Sequence, residues 1–200
     1  MAATEFVRRC RFGSESRINW LSLGRPIVKR LHLLRHAKSS WKEDVEDRER
    51  ALNGRGRETA RRVGRYLAKT IGPLDVVLCS SALRTRETLE LVLAKFAVTP
   101  RRAIEDELYA ASQEELIDRL RRLSEEEVNV LLVGHNPGLH ELAVALAETS
   151  SPGFRALTSG KFPTAACASF QISEPWSALG LSRQMLVGYV TPASLLGEKG

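Results

Sequence analysis

Three short aliphatic runs, at residues 27–34, 75–79 and 128–133, are separated by stretches whose apolar residues return every three or four positions. Runs of this length suit strands buried on both faces of a parallel sheet, and the spacing between them is that of amphipathic helices. Between the first two runs, Ala60, Val63, Leu67 and Ile71 predict a helix that Gly72-Pro73 stops. The result is a β-α-β unit. A second helix is expected to start on Ser80 or Ser81 as cap, to bury Leu89, Val92, Leu93 and Phe96, and to end by Pro100. Ser112 and Glu115 form a capping box ahead of Leu116, Leu120 and Leu123. Asn136 as cap and Pro137 at the first helical position open a helix bearing Leu139, Leu142, Ala143 and Leu146. Two more strands are expected near residues 166–172 and 184–190. The pattern predicts a three-layer α/β/α domain over residues 27–200, with a mostly parallel central sheet.

Residues 1–26 show no sustained period and end at Gly24-Arg25-Pro26, so they are read as a basic, flexible extension outside the domain. An organellar presequence is the less favoured alternative, because Glu5 and Glu15 interrupt the Arg-rich stretch. Residues 1–30 hold seven basic and two acidic groups, and the remaining 170 residues are nearly balanced, so the net charge of +6 lies almost wholly in the first thirty residues, the extension and the start of the first aliphatic run. A nucleic-acid-binding domain is not expected from such a core. No apolar run reaches the ~18 residues of a membrane-spanning helix, and no membrane partner is expected. Cys10, Cys79 and Cys167 are odd in number and lack metal-like spacing, which points to a reducing compartment, the cytoplasm.

In parallel α/β sheets, ligands bind beyond the carboxyl ends of the strands. There the sequence places Arg35-His36 after the first run, Ser80 to Arg84 after the second and His135-Asn136 after the third. Two guanidinium forks beside two imidazoles, with helix N-termini aimed the same way, describe a pocket for a phosphate dianion. Other chemistries fail on spacing. A cysteine phosphatase loop needs five residues between Cys and Arg, whereas Cys79 and Arg84 are separated by four. The nearest nucleotide-loop imitation, from Gly153 to Gly160-Lys161, has six residues where four are required, and Gly-x-Ser-x-Gly is absent. A metal on His36 and His135 would face repulsion from the neighbouring arginines, so neither metal nor cofactor is expected. His32, His140, Arg61, Arg62 and Arg86 are assigned to packing or solvated faces, and Trp41 and Trp176 to core or rim.

Leu33-Leu34-Arg35-His36-Ala37-Lys38-Ser39-Ser40-Trp41 resembles the Arg-His signature of the histidine phosphatase superfamily, in its phosphohistidine phosphatase (SixA-type) branch. The likeness extends to Asp47 through Gly56, Ser80 through Thr88, Val133 through Gly138, Phe162-Pro163-Thr164 and Trp176, spanning about residues 29–195. Four blocks in order are specific where Arg-His alone is not. The resemblance implies a phosphoglycerate-mutase-like fold and a metal-independent phosphatase. On the matching positions His36 would be the nucleophile, Arg35 and Arg84 the clamps on the phosphoryl oxygens, and His135 the second imidazole touching them. Of the mid-chain carboxylates Glu105, Asp106 and Glu107, Glu107 is the expected proton donor, although the SixA-type branch often lacks a clear acid.

The expected reaction is therefore hydrolysis through a phosphohistidine intermediate on His36, with protein phosphohistidine as substrate. A small-molecule phosphomonoester phosphatase or phosphomutase on the same machinery is the alternative. Only 50 residues separate Arg84 from His135, little for a lid, and an open site suits a protein-borne phosphate. A third reading is a polyanion-binding module that uses the basic extension without turnover.

Overall fold

Six strands form one mixed sheet in the computed structural model, which describes residues 28–42 and 44–196. They are β1 (Lys29–Arg35), β2 (Val76–Ser80), β3 (Arg101–Glu105), β4 (Asn129–Gly134), β5 (Cys167–Ile172) and β6 (Met185–Val190). Their order across the sheet is β3-β2-β4-β1-β5-β6. The first four run parallel, while β5 pairs antiparallel with β1 and β6 with β5. Helices α1 (Gly54–Thr70) and α2 (Leu83–Leu93) cover one face. On the other lie α3 (Gln113–Arg121), α4 (Gly138–Leu146) and the short α5 (Phe154–Thr158). Four-residue α6 (Pro192–Leu195) follows β6 and meets α1. The expected three-layer, phosphoglycerate-mutase-like α/β fold is thus present. The expected extension, residues 1–26, lies outside the described residues.

Strand periodicity sorts the core. Leu31, Leu33, Leu78 and Leu132 pack toward α3 and α4, and Leu34, Val77, Cys79 and Val133 toward α1 and α2. Each fully buried leucine contributes about 2 kcal/mol of apolar burial. Asn53 caps α1, its side chain accepting from the Gly56 amide at 2.8 Å, and Ile71 closes the helix before Gly72, whose φ of +72° suits a left-handed terminus. The Ser112–Glu115 capping box forms as read.

Three local expectations change. Helix α2 is capped by Ala82 without a side-chain bond, because the Ser80 hydroxyl meets His135 and Thr85 folds back onto the Ser80 and Ala82 carbonyls. Helix α4 begins at Gly138, with Asn136 donating to the Phe162 carbonyl instead of capping. Strand β3 was not expected from sequence: Arg-Arg-Ala-Ile-Glu at a sheet edge is mostly exposed and lacks the aliphatic run of a buried strand.

His32 is only 1% exposed, held between Ser169 Oγ and Asn129 Oδ1 at 2.8 and 2.9 Å. Burial pushes its pKa down to about 4, so the unfolded chain takes up a proton below about pH 6.5 that the folded chain refuses until about pH 4. Stability is therefore expected to fall as the pH drops through that window, by about 2 kcal/mol from His32 alone between pH 7.5 and 5. Urea denaturation of the wild type and of His32→Gln at the two pH values checks this: the wild type should lose about 2 kcal/mol more than the variant, and equal losses would show that the imidazole titrates freely.

Candidate active site

Parallel β1, β2 and β4 end side by side, and residues at or just beyond their ends line a cavity of about 470 Å³. Arg35 closes β1 and His36 follows it; Gly134 closes β4 and His135 follows; Arg84 comes from the first turn of α2, just after β2. Arg35, His36, Arg84 and His135 all line the cavity, and the two imidazole centroids stand 5.2 Å apart.

Partners assign the imidazole tautomers. His36 Nδ1 lies 2.8 Å from the Ala37 carbonyl, which can only accept, so Nδ1 carries the proton and Nε2 keeps its lone pair. Burial, with Arg84, Arg35 and Arg50 nearby, pushes the His36 pKa down to about 4, and the ring is neutral at pH 7. Arg84 Nη2 approaches His135 Nδ1 at 3.4 Å, and a guanidinium can only donate. The His135 proton is therefore on Nε2, donated to Ser80 Oγ at 2.7 Å. Burial, His36 and Arg84 push His135 down to about 3.

The clamps are held from behind. Arg35 Nη1 donates to the Phe162 carbonyl at 2.7 Å, while its buried Nε has no partner, nor does buried Asn136 Oδ1. An orphaned guanidinium N–H is costly unless an acceptor arrives. Arg84 donates to the Asp47 carbonyl oxygen and, at 2.9 Å, to Asp47 Oδ2. Asp47 also accepts from Arg50 at 2.7 Å and from the Tyr109 hydroxyl at 2.6 Å. These donors, with Tyr109 the largest influence, hold its carboxyl well below the usual carboxylate range. Arg50 is itself buried, bonded to Ser39 Oγ, and lies over the Trp41 ring, 3.1 Å from its centroid. Trp41 is an exposed rim residue, whereas Trp176 is in the core, as the sequence allowed.

Glu107 does not join this group. It is exposed and outside the cavity lining, 2.6 Å from Arg122 and 3.4 Å from Arg119, which hold its carboxyl below its ordinary value. The structure thus does not bring Glu107, the expected proton donor, together with Arg35, His36, Arg84 and His135. Two residues on, Tyr109 turns the other way, over the Asp47 carboxylate and edge-on to His135 at 5.5 Å. Ala110, also in the lining, sits at φ 53°, a left-handed conformation that costs a non-glycine residue about 1 kcal/mol. Gly138 is required beside it: a Cβ there would lie 2.0 Å from the Ala111 carbonyl oxygen.

Sequence reasoning missed Arg50, Tyr109, Ser80 and Asp47 as cavity or supporting residues. Asp47 and Arg50 lay inside a quoted motif, the only signal available for them. Among the described residues, no group of three or more His, Cys, Asp or Glu is placed to hold a metal ion, and no helix is long and apolar enough to cross a membrane.

The family model described as histidine phosphatase superfamily (branch 1) matches residues 31–109. An uncharacterized protein of Mycobacterium tuberculosis is 31% identical over 161 residues, covering 80% of this chain and 99% of its own. Among solved structures, a candidate phosphohistidine phosphatase SixA from Nakamurella multipartitia superposes with a TM-score of 0.73 at 26% identity, over 82% of this chain and 96% of that one. The protein histidine phosphatase SixA complexed with tungstate gives 0.67 at 23% identity, over 83% and 99%.

Proposed function

Because the chain belongs to the histidine phosphatase superfamily, branch 1, we propose that it hydrolyses a phosphorylated substrate through a phosphohistidine on His36, with protein phosphohistidine as that substrate. The observation that carries the reading is the His36 ring, neutral, with Nδ1–H held by a backbone carbonyl and the Nε2 lone pair left free in a cavity lined by Arg35, Arg84 and His135. A tetrahedral oxyanion would supply the acceptor that Arg35 Nε lacks. The tungstate held by the SixA relative is such an anion.

In this mechanism Nε2 attacks phosphorus in line as the bond to the leaving group breaks, and the guanidiniums stabilise charge on the equatorial oxygens. The arriving dianion offsets the burial and guanidinium charge that hold His135 neutral; Nδ1 takes a proton from solvent and, as N–H, donates to a phosphoryl oxygen. Water in turn attacks the phosphohistidine, releasing phosphate and restoring neutral His36.

The choice of leaving group rests on Asp47. It is the only carboxylate among the described residues that lines the cavity, and its donors keep it ionised, so it has no proton for a departing alkoxide. A phosphohistidine ring brings its own proton from solvent. Wild-type kcat/KM is therefore expected to favour a phosphohistidine protein over an alkyl phosphate by on the order of 10²-fold. Glu107→Gln is expected to leave both within about twofold, as a surface ion pair contributes little. Both substrates measured at one pH and ionic strength decide it: a strong preference for the alkyl phosphate, collapsing in Glu107→Gln, would turn the reading to the small-molecule alternative.

A further inference from the structure

The cavity over His36 does not end at its own rim. Across Lys38 and Thr164, which line both, it opens into a second hollow of about 310 Å³ bounded by Arg55, Pro163 and Thr191. Arg55, Thr59, Pro192 and Leu196 then continue that hollow into a third, of about 220 Å³, between α1 and α6. Sharing those four residues, the second and third hollows make a groove beside the His36 cavity. Its apolar lining is Pro163, Pro192, Leu195 and Leu196, and beside it runs α1, the most basic helix among the described residues. Along α1 stand Arg55, Arg57, Arg61, Arg62, Arg65 and Lys69, against the single acid Glu58. Glu58 is shared by Arg61, Arg62 and Arg65 at 4.0, 3.2 and 3.9 Å, and Arg57 pairs with Glu87. Exposed Lys38 and Arg55 have no ion-pair partner among the described residues.

We propose that this groove docks an acidic, amphipathic segment of the phosphorylated protein, laying its apolar side chains on Pro192, Leu195 and Leu196 and its carboxylates against Lys38, Arg55 and Arg62. The proposal rests on the phosphoprotein reading above and adds the surface by which the substrate is chosen. Charge complementarity selects this occupant. Neither the first thirty residues, which are net basic, nor residues 197–200, with one acid and one base, are such a segment. A nucleic acid is disfavoured because aliphatic and proline side chains form the apolar lining, with no aromatic ring there on which bases stack.

Two short phosphohistidine peptides test it on the full chain, one flanked by Glu and Leu, the other by Lys and Ser. Wild type is expected to turn over the acidic peptide on the order of 10-fold better in kcat/KM at about 50 mM salt, with the advantage shrinking at about 200 mM. Arg55→Glu combined with Arg62→Ala should erase the preference, while hydrolysis of phosphoramidate, too small to leave the His36 cavity, stays within about twofold. Fluorescence anisotropy of the unphosphorylated acidic peptide, with an oligonucleotide as competitor, supplies a readout independent of turnover. If both peptides are dephosphorylated alike, or the variant keeps the preference, or the oligonucleotide binds the groove more tightly, the docking proposal falls and the phosphohistidine reading stands. If neither peptide is dephosphorylated while the acidic one binds wild type and not the variant, the substrate reading falls and the groove stands.

Discussion

His36→Ala is expected to abolish turnover, on the order of 10³-fold or more, and to remove the covalent phosphoenzyme altogether. The proposed nucleophile is a single lone pair, that of Nε2, and the wall of the cavity offers no second neutral imidazole nitrogen in the same state: His135 Nε2 is bonded to Ser80 and its Nδ1 faces Arg84. The trapped label in the wild type should be stable in alkali and lost in acid, as a phosphoramidate is. The fold should survive, since His36 lies beyond the end of β1 and its one side-chain bond is to the neighbouring carbonyl. Circular dichroism and the urea midpoint verify that point separately from activity. A folded variant with near-normal hydrolysis, or one that still takes up label, would falsify the nucleophile assignment.

Arg84→Lys is expected to lower kcat/KM by on the order of 10²-fold. In the structure this guanidinium reaches the Asp47 backbone and carboxylate on one side and His135 on the other, a fork that an ammonium cannot reproduce from one point. The loss should fall mainly on kcat, because the clamp serves the charge that develops on the phosphoryl oxygens. Two residues away, Arg86 is exposed on the outer side of α2, near Arg57 and Glu90 and away from the cavity. Arg86→Lys should therefore change the rate by less than about twofold. Equal losses in the two variants would show that bidentate contact at Arg84 is not what the reaction uses.

Local sequence was enough to establish the layers of the fold and to bring four residues together. Aliphatic runs and three-to-four spacing depend only on which face of a strand or helix is buried, and burial is recorded residue by residue in the chain. Once β1, β2 and β4 are parallel, their carboxyl ends must share one edge, and Arg35, His36, Arg84 and His135 follow. The path of the irregular segments was not legible in this way. Asp47 and Arg50 lie on a stretch without periodicity that crosses the strand ends, held there by contacts with residues far along the chain: Arg84 and Tyr109 at Asp47 and, at the neighbouring Leu52 amide, the Glu87 carboxylate. The same limit applies to the position of Glu107. Its neighbours in sequence look equivalent, and only the short 3-10 turn at Asp106–Leu108, together with the left-handed Ala110, decides that Tyr109 faces the cavity while Glu107 faces Arg122. Strand β3 escaped for a related reason, since an edge strand gains its place from hydrogen bonds to β2, which any side chains can accompany. Sequence thus determined what is buried and which strand ends meet. Tertiary structure alone decided which loop side chains close over that edge, because those contacts depend on where distant turns bring the chain and leave no repeating mark in it.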